Sequence, residues 1–197
     1  AKHVLTISEF SKSEIVRLYH TNPDKITVVY PGFDRDTYHS KIPMTKQHQV
    51  RKKYSLAGKY LLYVGTLQPR KNLNRLVEAF AKLKNKQIKL VIGGKKGWLY
   101  DQIFEQVRSL KLENRVLFLG FVPNEDLPGL IKGAVAYVLP SLYEGFGMPP
   151  VEAQAVGVPV VVSRLSSLPE VIGASGIYIE DPNSVDSIKE ALEKVLT

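Results

Sequence analysis

Residues 134–157 read AVAYVLPSLYEGFGMPPVEAQAVG, and this stretch decides the fold. Its first seven residues, 134–140, form a short apolar run rich in β-branched side chains and closed by Pro140. That run is too brief for a helix and predicts a buried strand. Pro149 and Pro150 suit the opening positions of a helix, where a missing N–H costs nothing, and VEAQAVG carries that helix to a glycine end at Gly157. The stretch is therefore strand, turn, helix, with Glu144 on the turn and Glu152 expected in the first helical turn. Gly145 and Gly147 remove side-chain bulk where the unpaired N–H groups of a helix start gather, a geometry that receives anions. Spacing alone leaves another reading open, in which Glu152 merely complements the helix dipole and Glu144 is solvated.

Outward from this unit the same alternation continues. YLLYVG (60–65), IKLVIGG (88–94), RVLFLG (115–120), PVVVS (159–163) and GIYIE (176–180) read as strands. NLNRLVEAFAKLK (72–84), a segment within 98–111, EDLPGLIKG (125–133), LPEVIG (168–173) and DSIKEALEKVL (186–196) read as helices between them. Nearly all-apolar strands alternating with helices predict an α/β fold with a doubly wound parallel sheet. Ligands of such sheets bind outside the carboxyl ends of the strands. Upstream, HVLTIS, a helix with a Ser N-cap, and KITVVYPGFD form a separate strand–helix–strand unit. Residues 36–54 read as a polar linker or flexible loop.

Lys+Arg 27 against Asp+Glu 19 gives a net charge of +8, which favours anionic partners. The basic residues form no polybasic tract and accompany no zinc-finger or RNA-binding motif, so nucleic acid is not the expected partner. The absence of Cys excludes disulfides, thiolate catalysis and Cys-zinc sites. No run is long enough to span a membrane, and the start lacks a signal peptide's layout. Arg70 and Lys71 follow a strand end directly before a helix, where two cations can face a diphosphate or simply confer solubility. Gly93, Gly94, Lys95, Lys96 and Gly97 lack the spacing of a phosphate loop and read as a tight turn. Asp34 and Asp36 read as turn residues rather than a metal pair, and the four His show no ligand spacing.

EGFGMPPVEAQAVGVPVV followed by SSLPEVIG resembles the Glu-x7-Glu signature of the retaining family 4 (group 1) glycosyltransferases. YVGTLQPRKNLNRLVEAF resembles their diphosphate-binding element, and the match runs from about Ile7 onward. The resemblance implies one half of a GT-B fold: residues 1–35 as the end of an N-terminal acceptor domain, residues 36–197 as a C-terminal Rossmann-like donor domain. It implies a nucleotide-sugar donor, GDP-mannose or UDP-hexose, and retaining transfer of a hexose to a carbohydrate or lipid-linked acceptor. Glu144 would lie against the sugar as the catalytic carboxylate and Glu152 would bind the ribose hydroxyls. Arg70, Lys71 and the amides of Phe146, Gly147 and Met148 would hold the diphosphate, and backbone groups of Phe121 and Val122 would read the base. No metal and no cofactor are implied, nor is nucleic acid. Many members carry Arg where this chain has Thr66, which leaves Arg70 as the second basic contact. Most of the acceptor domain, and a C-terminal segment that crosses back to it, are expected outside these residues. The enzyme implied is cytoplasmic, with peripheral association at the inner membrane face. A non-catalytic nucleotide-sugar binding module and a GT-B epimerase or phosphorylase are the alternatives.

Overall fold

The computed structural model describes residues 1–95, 97, 98 and 101–197. The chain begins with β1 (Val4–Thr6), α1 (Glu9–Tyr19) and β2 (Ile26–Val28), followed by α2 (Met44–Lys53). It continues as β3 (Tyr60–Val64), α3 (Leu73–Ala81), β4 (Lys89–Gly93), α4 (Asp101–Ser109) and β5 (Val116–Gly120). The remainder is α5 (Leu127–Lys132), β6 (Ala136–Leu139), α6 (Met148–Ala155), β7 (Val160–Ser163), α7 (Leu168–Ile172), β8 (Ile177–Ile179) and α8 (Val185–Leu196).

Strands β3 to β8 form one six-stranded parallel sheet in the order β5-β4-β3-β6-β7-β8, flanked by helices. Leu61, Leu62, Tyr63, Leu90, Val91, Tyr137, Val138, Val161 and Val162 lie fully buried in it. That total burial is why the strands read as continuous apolar runs with no polar alternation. The chain leaves β3 in one direction through β4 and β5, then returns to lay β6 on the other side of β3. The reversal puts a topological switch point at the carboxyl ends of β3 and β6, where an open α/β sheet forms its ligand crevice. β1 and β2 pair separately, in parallel, as a two-stranded sheet.

The linker expected over 36–54 is not a loop, because Met44–Lys53 forms α2. Its Met, Lys, Gln and Arg content favours helix, Pro43 stands at the N-cap, and three basic residues in the last turn complement the dipole. One buried residue, Val50, anchors it on α5, where a side chain at Gly129 would come within 3.0 Å of Val50 Cγ2. Lys53 Nζ (2.5 Å) and Tyr54 Oη (2.6 Å) both donate to Asp126 Oδ2 and close the contact.

Candidate functional site

At the switch point β3 and β6 diverge, and a side chain fills the gap between them. The phenol of Tyr137 donates to Val64 O (2.6 Å) and accepts from Val64 N–H (3.3 Å), standing in for a ladder partner. Burial raises its pKa far above the ordinary tyrosine value, so it stays protonated. Beyond this point the two loops are stitched together. Asn72, buried and left-handed at φ 60°, donates from Nδ2 to Pro140 O (3.1 Å) and Pro182 O (2.7 Å). Leu142 N–H donates to Arg70 O (2.8 Å) and Arg70 Nη1 to Tyr143 O (2.7 Å).

The stitched loops bring Arg70, Lys71 and Glu144 together. Pro69–Lys71 is a single 3-10 turn, and from it Lys71 Nζ reaches Glu144 Oε1 at 2.5 Å while Arg70 Nη1 reaches Oε2 at 3.0 Å. Each carboxylate oxygen therefore has its own cation. Burial disfavours the ionised carboxyl, but Lys71, followed by Ser141 and Arg70, outweighs it and holds Glu144 below its ordinary pKa. Burial lowers the Lys71 pKa despite the opposing pull of Glu144, and neighbouring Arg70 adds to the lowering. The result is a compact cluster with one net positive charge, its ammonium poorly hydrated and fit to meet an anion.

The loop that follows presents Phe146, Gly147 and Met148. Gly147 is the N-cap of α6 at φ 100°, and a Cβ there would stand 2.7 Å from Leu168 Cδ2, so both conformation and space demand glycine. Among the described residues the N–H groups of Phe146, Gly147 and Met148 have no protein acceptor, and Pro149 and Pro150 bring no N–H to compete. The carbonyl side, by contrast, is held by serines. Ser167 Oγ lies 2.8 Å from Glu144 O and 3.1 Å from Phe146 O, and Ser166 Oγ accepts from Glu144 N–H at 2.9 Å. The SSLP segment had no such role in the sequence reading, and its contacts span more than twenty residues.

Glu152 is not in the first helical turn. The helix begins at Met148, which makes Glu152 its fifth residue, beyond the reach of the dipole's unpaired amides. It is half-buried, and burial raises its pKa against the opposing hydrogen bond from Tyr38. Burial, with Glu152 nearby, pushes the Tyr38 phenol up to about 12. A carboxyl raised in the folded state stabilises the fold below its unfolded pKa of about 4.3, and that stability is lost as pH rises through the folded value. Glu152→Gln is therefore expected to melt higher than the parent at pH 8, with the gap closing by about pH 4. A pH-independent difference between the two melting curves would contradict this.

Phe121 and Val122 follow β5, two strands from β3, with Phe121 exposed under Lys95 Nζ (5.0 Å) and Val122 buried. They connect to the cluster through the turn after β4. Gly94 N–H donates to Gly120 O (2.6 Å), and a Cβ on Gly94 would fall 1.9 Å from Gly65 O. Leu67 N–H donates to Lys95 O and Gly97 N–H to Leu67 O, both at 3.0 Å. The glycines thus serve close backbone approach, as the turn reading expects, while Lys96 lies outside the described residues. Asp34 accepts from the N–H groups of Asp36 (3.0 Å) and Thr37 (3.1 Å) and from the Thr37 hydroxyl, closing a local turn.

A family model described as "Glycosyl transferases group 1" matches residues 46–197. O-antigen chain mannosyltransferase B of Escherichia coli is 42% identical over 192 residues, covering 95% of this chain and 50% of that protein. Mannosylfructose-phosphate synthase of Agrobacterium fabrum is 32% identical over 76% of this chain and 35% of its own length. Among solved structures, Anabaena HepE with UDP and glucose superposes with a TM-score of 0.90 at 24% identity, over 100% of this chain and 54% of that one. The C-terminal domain of Francisella tularensis LpcC superposes at 0.71 with 22% identity, over 84% of this chain and 88% of that domain. These structural likenesses establish the fold, one Rossmann-like half of a GT-B fold, and the chain spans about half the length of the first relative named. With most of its length matched by the family, the chain belongs to the group 1 glycosyltransferases.

Proposed function

We propose that this chain is the donor-binding part of a retaining hexosyltransferase that takes a nucleoside-diphosphate sugar, GDP-mannose in the first instance. The observation that carries the reading is the Arg70–Lys71–Glu144 cluster at the switch point, beside three N–H groups that have no protein acceptor among the described residues. As the anomeric C–O bond breaks, its electron pair leaves with the diphosphate and the sugar carbon becomes oxocarbenium-like. Fixed cations and aimed N–H dipoles stabilise that leaving charge more than the ground state, which is what accelerates the step. Lys71, Arg70 and the amides of Phe146, Gly147 and Met148 take this part. Glu144 offsets positive charge at the sugar ring, Glu152 binds the ribose hydroxyls, and the backbone at Phe121 and Val122 meets the base.

Mannose is favoured by the mannosyltransferase among the relatives, 42% identical to this chain. The reading assigns residues 1–35 to an acceptor-side unit and 36–197 to the donor domain, with no cofactor. Transfer to a carbohydrate or lipid-linked acceptor then needs the further half that the relatives possess, and this chain by itself is expected to bind donor without transferring sugar. Among the described residues no helix is long and apolar enough to cross a membrane. The net charge of +8 suits an anionic donor and equally an anionic lipid surface, so the reading places the whole enzyme in the cytoplasm, peripheral to the inner membrane face.

Calorimetry with GDP, UDP and their 2′,3′-dideoxy forms tests the reading. Glu152→Gln weakens two charge-assisted contacts to the ribose, so GDP should bind the variant on the order of tenfold more weakly. The dideoxy nucleotide should bind variant and parent alike, since the coupled partners are already absent. A coupling energy near zero between substitution and deoxygenation rejects the ribose assignment, and failure of the parent to bind any nucleoside diphosphate rejects the function.

A further inference from the structure

The first turn of α1 leaves four backbone N–H groups to be satisfied, as every helix start does. Lys12 N–H donates to Ser8 O (3.0 Å) and Ser11 N–H to Ser8 Oγ (3.0 Å), so Ser8 is the N-cap. Glu9 N–H (2.7 Å) and Phe10 N–H (3.1 Å) instead donate to the two carboxylate oxygens of Glu170, on α7. Tyr30 Oη, just beyond β2, donates to the same carboxylate at 2.8 Å. Glu170 thus seats the entire strand–helix–strand unit against the rim of the donor loop. Ring contacts of Phe10 with Tyr143 (5.3 Å between centroids) and of Tyr30 with Phe146 (6.2 Å) complete the seat.

Seated in this way, the fully buried Ser8 places its hydroxyl 2.7 Å from the carbonyl of Gly145, across 137 residues of sequence. Ser8 Oγ accepts from Ser11 N–H, and of the two acceptors its proton can reach, Gly145 O at 2.7 Å and Ser11 Oγ at 2.9 Å, the carbonyl is the nearer. Ser11 Oγ stands behind it, 2.9 Å from Ser8 Oγ and 3.3 Å from Gly145 O. A trans peptide is planar, with its C=O and the following N–H pointing in opposite directions. Fixing Gly145 O therefore fixes where Phe146 N–H points. Ser167, through Phe146 O, does the same for Gly147 N–H.

We propose that Ser8, held in place by Glu170, is a positioning residue for donor binding: from outside the six-stranded sheet it aims the Phe146 N–H at the donor diphosphate. The inference rests on the donor-site reading given above and adds to it a dependence of phosphate recognition on how the N-terminal unit is seated. A purely adhesive contact would affect stability, leaving the preference for phosphate over nucleoside unchanged. A positioning contact changes that preference.

The experiment measures dissociation constants of GDP against guanosine, and of UDP against uridine, by calorimetry on the parent chain and on Ser8→Ala, Ser8→Thr and Glu170→Gln. Ser8→Ala should lose about tenfold on the diphosphate and less than about twofold on the nucleoside, the measure of one misaimed charge-assisted hydrogen bond. Ser8→Thr, which keeps the hydroxyl, should recover most of the loss. Glu170→Gln, on an exposed residue, should show a roughly threefold loss in the same direction, because a neutral amide holds the two α1 amides less firmly. Equal losses on diphosphate and nucleoside, or none, overturn the proposal while the donor-site reading stands. If Ser8→Ala does not fold, the same ratio in Glu170→Gln and Glu170→Ala decides. A parent chain that binds neither diphosphate more tightly than its nucleoside overturns the donor-site reading itself.

Discussion

Lys71→Ala should lower the stability of the free protein by about 3 kcal/mol at pH 7 and weaken nucleoside diphosphate binding by about ten- to a hundredfold. The stability loss comes from Glu144, which is 6% exposed and would keep only Arg70 as its cation. Removing one partner of a buried pair leaves a charge that neither water nor a counter-ion compensates, at a cost of roughly 3–5 kcal/mol, and the remaining Arg70 contact puts this case at the lower end. The sign of the pH dependence follows from Glu144. In the parent its folded pKa is depressed, so its contribution is present above the unfolded carboxylate value and disappears as pH falls through the folded one. Without Lys71 the burial is opposed less strongly, so the carboxyl's folded pKa rises relative to the parent's and the variant sheds its charge by protonation at a higher pH than the parent does. Urea titrations should accordingly show the parent–variant gap narrowing between pH 7 and about pH 4. A gap that stays constant over this range would mean that Lys71 and Glu144 are not coupled.

How far such a cluster could be foreseen varies from residue to residue. The four inner strands of the sheet are legible because both faces are covered, which leaves runs such as YLLYV and AYVL apolar or aromatic throughout. Helix α2 was not, since a single buried valine against Gly129 holds it and its other residues give no apolar period. Arg70, Lys71 and Glu144 were each identifiable by position after a strand end. Their mutual contact was not, because it joins residues more than seventy apart through the β3–β6 switch point. Asn72, Tyr137, Ser8 and Ser167 carried no local signal for what they do. Each owes its role to a partner brought near by the fold, and nothing in its own neighbours distinguishes it from a turn residue, a core aromatic or a helix cap. Glu152 falls one residue deeper than the paired prolines suggest, because they point to a helix start at Pro149 whereas Met148 is already helical.

Glu144→Gln is expected to separate two effects that a simple loss-of-contact view would merge: lower stability in the free protein, and tighter binding of nucleoside diphosphates. In the parent, Glu144 offsets one of the two positive charges on Lys71 and Arg70, so on the donor-site reading an arriving diphosphate shares those cations with a carboxylate that repels it. Two unit charges about 4 Å apart exchange about 4 kcal/mol at an effective dielectric constant of 20. Even a third of that, about 1.4 kcal/mol, corresponds to a tenfold gain in affinity once the carboxylate is neutral. Without ligand, Lys71 and Arg70 would face each other with no counter-ion, costing on the order of 3 kcal/mol at pH 7. Lys71, already below its ordinary pKa through burial, should drop further in the variant. A lysine depressed in the folded state contributes stability that grows as pH rises toward its unfolded value, so the variant should regain ground between about pH 8 and pH 10. GDP and UDP should then raise the melting temperature of Glu144→Gln more than that of the parent, because the diphosphate supplies the missing negative charge. Guanosine and uridine, lacking phosphate, should shift both proteins equally. Unchanged or weaker diphosphate binding by the variant would show that the cations paired with Glu144 do not face the phosphates, and the donor site would have to be sought elsewhere on the sheet.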